Sequence, residues 1–335
     1  MDTPFQIIGQ GLAGTCLAWQ LLDRGVAFEI VDREQGGSSR VAAGMINPVT
    51  GKNFQPSWRI GEFLPEAIAF YQALETRLGM KFWHPLPVLR LAANAKNWEK
   101  IRGKLSADDV APWVVGEVTP PEDRWIGAVE VRGGGRLDAK AFLDASRRFF
   151  TERGLYRKAS VDFLTASSSR RIWCEGAAGL LLGRPAPHRC AKGEILTLRA
   201  EAWDETHIRI GNGGWLIPLG AGVFKVGATY EWDDLDELST EKGRAQVEDI
   251  ARALMDDHFT VIDHEAGIRP ILRRSEPLIG QLDGEWFFNG LGSKGSLYAP
   301  GVARRLTACL LDGAEPEHEL DLSAFLATFK SHGDI

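Results

Sequence analysis

The sequence predicts an α/β protein of two domains, one on a parallel sheet and the other an α+β unit on an antiparallel sheet. Three observations carry this. The chain has 335 residues, 44% hydrophobic and 25% charged, a length that buries more than one core. Residues 5–32 read as strand, glycine turn, helix and strand, the opening of a βαβ unit. Further on, "HIRIG", "GGWLIPL" and "GVFKVGATY" alternate as half-buried antiparallel strands do.

Taken in order, "FQII" is the first strand and "GQGLAG" the turn, and "LAGTCLAWQLLDRG" sets Ala13, Leu17 and Leu21 on one helical face before Gly25 stops it. "VAFEIV" follows as the second strand. Each glycine of the turn has a distinct task. Gly9 makes the tight bend, Gly11 lets backbone approach a pyrophosphate beside Leu12 and Ala13, and Gly14 lets helix pack on strand. The helix N-terminus then faces the phosphates with its free amides and dipole. Asp32 ends the second strand 18 residues after Gly14, near the spacing of an acid that hydrogen-bonds a ribose hydroxyl. The glycine pattern alone is common; strand, helix, second strand and acid in register make it a dinucleotide site.

After Asp32 the chain departs from a plain nicotinamide-binding domain, where further strand–helix units follow at once. Instead "REQGGSSRVAAGMINPVTGKNF" is long, irregular and rich in small residues. An amphipathic helix over about 61–78 comes next, with Phe63, Ala67, Tyr71, Leu74 and Leu78 on one side. A second helix is expected near 241–258, with Val247, Ile250, Ala251 and Leu254 backing the antiparallel sheet. "ASSSRR" at 166–171 reads as a turn.

Composition narrows the partners. A formal charge of −6 gives no basic footprint for nucleic acid or an anionic membrane surface, so neither partner is expected. Cys16, Cys174, Cys190 and Cys309 show no metal-binding or disulfide spacing, and the seven histidines form no ligand pattern. No metal is expected. Free thiols, no cleavable leader and no long apolar run point to a soluble cytoplasmic protein.

With these elements in place, the chain resembles the FAD-dependent amine and amino-acid oxidases of the D-amino-acid oxidase and glycine oxidase type. "AAGMINP", with Ala43, Gly44 and Met45, is similar to the segment that runs beside the isoalloxazine in that family. "GGGRLDAKAFLDASRRFFTERG" resembles its return to the cofactor domain, and Val161 sits where a valine backbone meets the adenine. "IWCEGAAGLLL", with Gly176 and Gly179, resembles the strand and turn that close the FAD site. "KGEILTL", "GIRPILRRSEPLIG" and "NGLGSKGSLYAPGVARRL" follow in family order, and Asp32-Arg33 suits a flavoprotein. The ordered set is specific where no single segment is.

The resemblance implies a Rossmann-like FAD-binding domain assembled from discontinuous segments, 1–79, 133–186 and 268–335, and a substrate domain from 80–132 and 187–267. It implies non-covalent FAD, because neither loop that would flank the ring, 36–48 or 289–300, holds a His or Cys. Gly292, Ser293, Lys294, Gly295 and Ser296 would form the flavin-edge loop. Lys294 and a helix beginning near Pro300, a residue favoured at the first helical position, would supply positive potential to the reduced flavin. Lys294 reads equally as a solvated loop lysine.

Arg269 in "GIRP" occupies the family position that grips a substrate carboxylate, a task its planar fork suits; an ion pair with Glu265 is the competing role. Trp215 stands where glycine oxidases have a tyrosine, offering one N–H donor and more bulk. Tyr230, after "VGAT", is within reach of the pocket or packed at a strand end. The expected activity is oxidation of a C–N bond in a small amine or amino acid, by hydride transfer to flavin, with O2 as acceptor. Three alternatives stand beside it: a dehydrogenase using another acceptor, a non-catalytic flavoprotein, and the oxidase of tRNA wobble-uridine modification, which "GSKGSLYAP" also resembles.

Overall fold

A computed structural model describes residues 4–165, 170–255 and 258–330, so most of the turn expected at 166–171 lies outside the described residues. The first sheet has six strands in the order Tyr156–Lys158, Phe28–Asp32, Phe5–Ile8, Arg170–Trp173, Glu285–Asn289, Leu278–Leu282. The first five run parallel and the sixth antiparallel. From Phe5–Ile8 the chain moves to one neighbour and later returns on the other side. That reversal opens a crevice at the carboxyl ends of the strands.

Helices cover both faces of this sheet. On one side Leu12–Asp23, Ile60–Leu78, Ala139–Thr151 and Gly295–Asp312 bury Leu17, Trp19, Phe63, Tyr71, Phe142 and Leu306 against Ile7 and Ile30. The apolar stripe read over 61–78 is that buried face, and Gly79 ends the helix with φ 62°. Leu12–Asp23 is buried nearly all round, because Gly295–Asp312 packs on the side that its stripe leaves free. On the other side Ala177–Leu181 and Leu322–Lys330 cover Ile8, Val31 and Trp173.

The second sheet has eight strands: Thr260–Arg269, Ala191–Arg199, Val223–Gly227, Gly214–Gly220, Ile208–Gly211, Val88–Ala92, Gly127–Val131, Val114–Val118. All neighbours are antiparallel except Ile208–Gly211 with Val88–Ala92. Helix Glu241–Leu254 packs Val247, Ala251 and Leu254 on Leu196, Leu216 and Val226. The Thr240 side chain caps it by accepting from the Gly243 N–H. It stops at Leu254, short of the 258 expected.

Because successive strand residues alternate between faces, the register fixes what the opposite face carries. Arg90 lies across from Ile210, Ile210 from Trp215, Trp215 from Gly227, and Gly227 from Ile195. Two residues from Ile195 is Gly193, opposite Gly267, and two beyond that is Arg269. Arg90, Trp215 and Arg269 therefore share one face, turned away from the backing helix.

The last long helix begins at Gly295, not at Pro300, which lies inside it. A proline within a helix deprives the carbonyl four residues earlier of its donor. Here that carbonyl belongs to Ser296, and the fully buried Tyr71 hydroxyl donates to it at 2.9 Å. Among the described residues no helix is long and apolar enough to cross a membrane.

Candidate active site

The parallel strands end on a cavity of about 1280 Å³, and the helix-free face of the second sheet forms its floor. Gly9 turns the chain with φ 106°; a Cβ there would lie 2.6 Å from the Cys174 carbonyl oxygen. A Cβ on Gly14 would overlap the Gly9 carbonyl, so this glycine seats the helix on the strand from behind the cavity wall. Gly11 differs from both. The nearest atom to a Cβ there is the Ser39 Oγ at 3.2 Å, and the residue lines the cavity beside Leu12 and Ala13. The first-turn N–H groups have no partner inside the helix; Gly11 supplies no cap, and the Leu12 N–H donates to the Ser39 Oγ at 3.3 Å.

Asp32 and Arg33 line the same end. Asp32 accepts from the Gln10 and Glu34 N–H groups at 2.6 and 2.7 Å, which fixes its carboxylate at the strand end. Val161 and Gly176 face it across the crevice, whereas Gly179 packs on the Glu175 side chain and is not part of the wall. Cys174 lies under the Gly9 turn, where burial pushes its thiol far up and makes it a poor nucleophile.

Toward the other end the wall passes through Ala43, Gly44 and Met45 on one side and Gly292, Ser293, Lys294, Gly295 and Ser296 on the other. Lys294 precedes the last long helix and, like Gly11, offers it no side-chain cap. It is no solvated loop lysine. Burial lowers its pKa against the weaker pull of Glu276, and its Nζ meets the Thr50 Oγ1 at 3.5 Å.

Arg269 reaches from the end of its strand over Gly193 and donates to the carbonyls of Thr229 at 3.1 Å and Lys192 at 3.3 Å. Glu265 pairs with Lys225 at 3.1 Å instead. Among the described residues Arg269 makes no ion pair, and burial lowers its pKa. Tyr230, 56% exposed, lays its ring over the guanidinium at 4.1 Å. Trp215 packs its ring against Gly227, on a strand between this cation and Arg90. The result is a half-buried positive site whose partners are carbonyls and an aromatic ring.

Four cationic wall residues went unread in the sequence: Arg40 and Arg184, paired with Asp144 and Glu175, and Arg147 and Arg90. Arg147, on helix Ala139–Thr151, bonds Gln10 at 2.9 Å and approaches Glu34 at 3.5 Å, closing the Asp32 end. Arg90 sits in "VLRLA", whose alternation shows a single polar position but not the face it joins.

A family model described as FAD dependent oxidoreductase (DAO) matches residues 6–309. Among solved structures, glycine oxidase from Geobacillus kaustophilus shares the fold at TM-score 0.80 and 20% identity, over 96% of this chain and 97% of that one. Iminodiacetate oxidase from Chelativorans sp. BNC1 does so at TM-score 0.76 and 20% identity, over 93% and 96%. The tRNA 5-methylaminomethyl-2-thiouridine biosynthesis bifunctional protein MnmC of Burkholderia pseudomallei is 25% identical over 399 residues. That alignment covers 98% of this chain and 60% of the relative's length.

FAD fits the residues present. Gly11 leaves the cradle open to a pyrophosphate, two helix N-termini whose N-cap residues offer no side-chain cap open on the cavity, and Asp32 stands at the strand end. The chain belongs to the family of FAD dependent oxidoreductases, and FAD is its cofactor.

Proposed function

We propose that this oxidoreductase oxidises the C–N bond of a small amine that carries a carboxylate, an amino acid or an N-substituted amino acid. One observation supports this above the rest: Arg269 is a half-buried cation on the cavity floor whose partners are carbonyls, with no acidic residue paired to it among the described residues. A guanidinium so placed takes a carboxylate in two parallel hydrogen bonds. Tyr230 holds it from above, and Trp215 excludes water from the apolar stretch of floor beside it. Lys294 adds positive potential at the other edge.

Among the described residues no histidine lines the cavity, and two carboxylates of its wall are engaged: Asp236 with Lys192, Glu237 with the Gly37 N–H. The substrate therefore arrives as the free amine, and the chain's part is to orient its carbon. When bound, FAD supplies the two-electron acceptor for a hydride from the carbon bearing that nitrogen. The imine left behind hydrolyses in water. In this reading residues 1–79, 133–186 and 268–335 hold the cofactor, and 80–132 and 187–267 the substrate.

The test is the visible spectrum of the flavin-loaded protein, recorded anaerobically with a panel of amino acids and secondary amines. Bleaching by carboxylated amines supports the proposal; no bleaching by any amine overturns it in favour of a non-catalytic flavoprotein. Dioxygen is the proposed final acceptor. Oxygen consumption with peroxide release tells it from a dehydrogenase that serves another carrier.

The curated relatives favour a second reading, the same chemistry on a carboxymethylaminomethyl group of tRNA. A carboxylate at Arg269 suits both. Against the tRNA reading stands the net charge of −6, and a salt-sensitive electrophoretic shift of tRNA would support it.

A further inference from the structure

Arg90 is the other cation of the cavity floor, and its surroundings do not account for it. Its Nε is buried with no hydrogen-bond partner, and its Nη2 donates to the Gly51 carbonyl at 3.2 Å. Among the described residues it makes no ion pair. Arg40, Arg136, Arg184 and Arg209 also bury an unpartnered nitrogen, but each has a carboxylate: Asp144, Asp138, Glu175 and Glu122. Arg274, like Arg90, has none, but it lies outside the cavity, with the Pro277 carbonyl and the Phe325 ring as its partners. Burial lowers the Arg90 pKa, and no acidic group opposes the shift. A half-buried guanidinium whose Nε is sealed from water without a partner is costly unless an anion or another acceptor meets it.

Its position says whose anion that is. Arg90 shares the floor with Trp215 and Arg269, on the far side of Trp215 from Arg269. Gly51 follows Thr50, whose hydroxyl meets the Lys294 ammonium, so Arg90 and Lys294 approach the cavity around one turn. The Asp32 end, where a dinucleotide's phosphates and ribose belong, is held by other residues.

We infer that Arg90 receives a second carboxylate of the substrate: an N-substituted amino acid whose carboxylate lies at Arg269 and whose nitrogen substituent ends in another acid group. The inference rests on the oxidase reading for the placement of the first carboxylate. It adds that the preferred substrate is a diacid.

The test uses the FAD-loaded protein and (ω-carboxyalkylthio)acetic acids, in which sulfur replaces the reacting nitrogen, against (alkylthio)acetic acids of the same length. Binding is followed by calorimetry, so turnover is not needed. At least one diacid should bind about tenfold or more tightly than its monoacid, as a charge-assisted hydrogen bond implies. Arg90→Gln should bring that ratio near one, and Arg90→Lys should keep part of it. Equal binding of diacids and monoacids by the unaltered protein overturns the inference. So does an Arg90→Gln protein that weakens both by the same factor, or one that is purified without its flavin. If diacids are preferred while no amine bleaches the flavin, the oxidase reading falls and Arg90 stands as an anion receptor. If amino acids bleach the flavin with no diacid preference, only the role of Arg90 falls.

Discussion

The two ends of the cavity achieve recognition by opposite means. Around Gly9 and Gly11 the wall is main chain, and it works because side chains are absent. Around Arg269, Arg90 and Lys294 it is side chain, cationic and partly desolvated. A backbone cradle is bound up with the fold, since the strand that supports it also forms the core. A floor of side chains on a finished sheet can change its ligand with little change in the fold.

Substitutions separate these modes, beginning with the largest expected effect. In Gly14→Val the new side chain overlaps the Gly9 carbonyl, and backbone cannot yield as a side chain would. The cooperative thermal transition should be lost. Gly11→Val should keep that transition and lose FAD, because its side chain enters the space meant for the cofactor; a purified variant that stays yellow would break the contrast. Arg269→Ala should retain flavin and raise KM for carboxylated amines, by on the order of 2–5 kcal/mol in binding terms. An unchanged KM would make Arg269 structural.

Lys294 yields a smaller effect, read through pH. Its pKa is lowered by burial, so its charge is lost at lower pH than that of a free lysine. Acetate binding to the flavin-loaded protein should therefore weaken as pH rises through that range, and Lys294→Arg should remove the decline, because a guanidinium stays charged. Identical profiles would exclude the lysine. Tyr230→Ala should cost least, about 0.5–1 kcal/mol of carboxylate binding for an exposed cation–π contact, measured as a change in Kd of a few-fold.

The difference between the ends also explains what the sequence disclosed. The bend at Gly9 and the helix packing at Gly14 were legible because backbone geometry sets their spacing. The helix Ile60–Leu78 was legible because its stripe repeats at helical period. Pro300 misled, since its preference for the first helical position says nothing of a buried hydroxyl, Tyr71, that serves the carbonyl it strands. Glu265 was an available partner for Arg269 only by nearness in sequence. In an extended strand, four residues span about 13 Å, and Lys225 on the second strand over holds that carboxylate. Arg90 was beyond reading. Which face it takes depends on pairing with Ile208–Gly211, far along the chain.

The central claim, that the floor selects amines by a carboxylate at Arg269, is tested most directly by a matched pair of donors. Flavin-loaded protein is titrated anaerobically with N-methylglycine and with dimethylamine, which differ by that one group, and bleaching of the flavin bands is followed. The account predicts bleaching by N-methylglycine at concentrations lower by roughly 30-fold or more, the equivalent of losing a buried charge pair. Equal bleaching by both would contradict it.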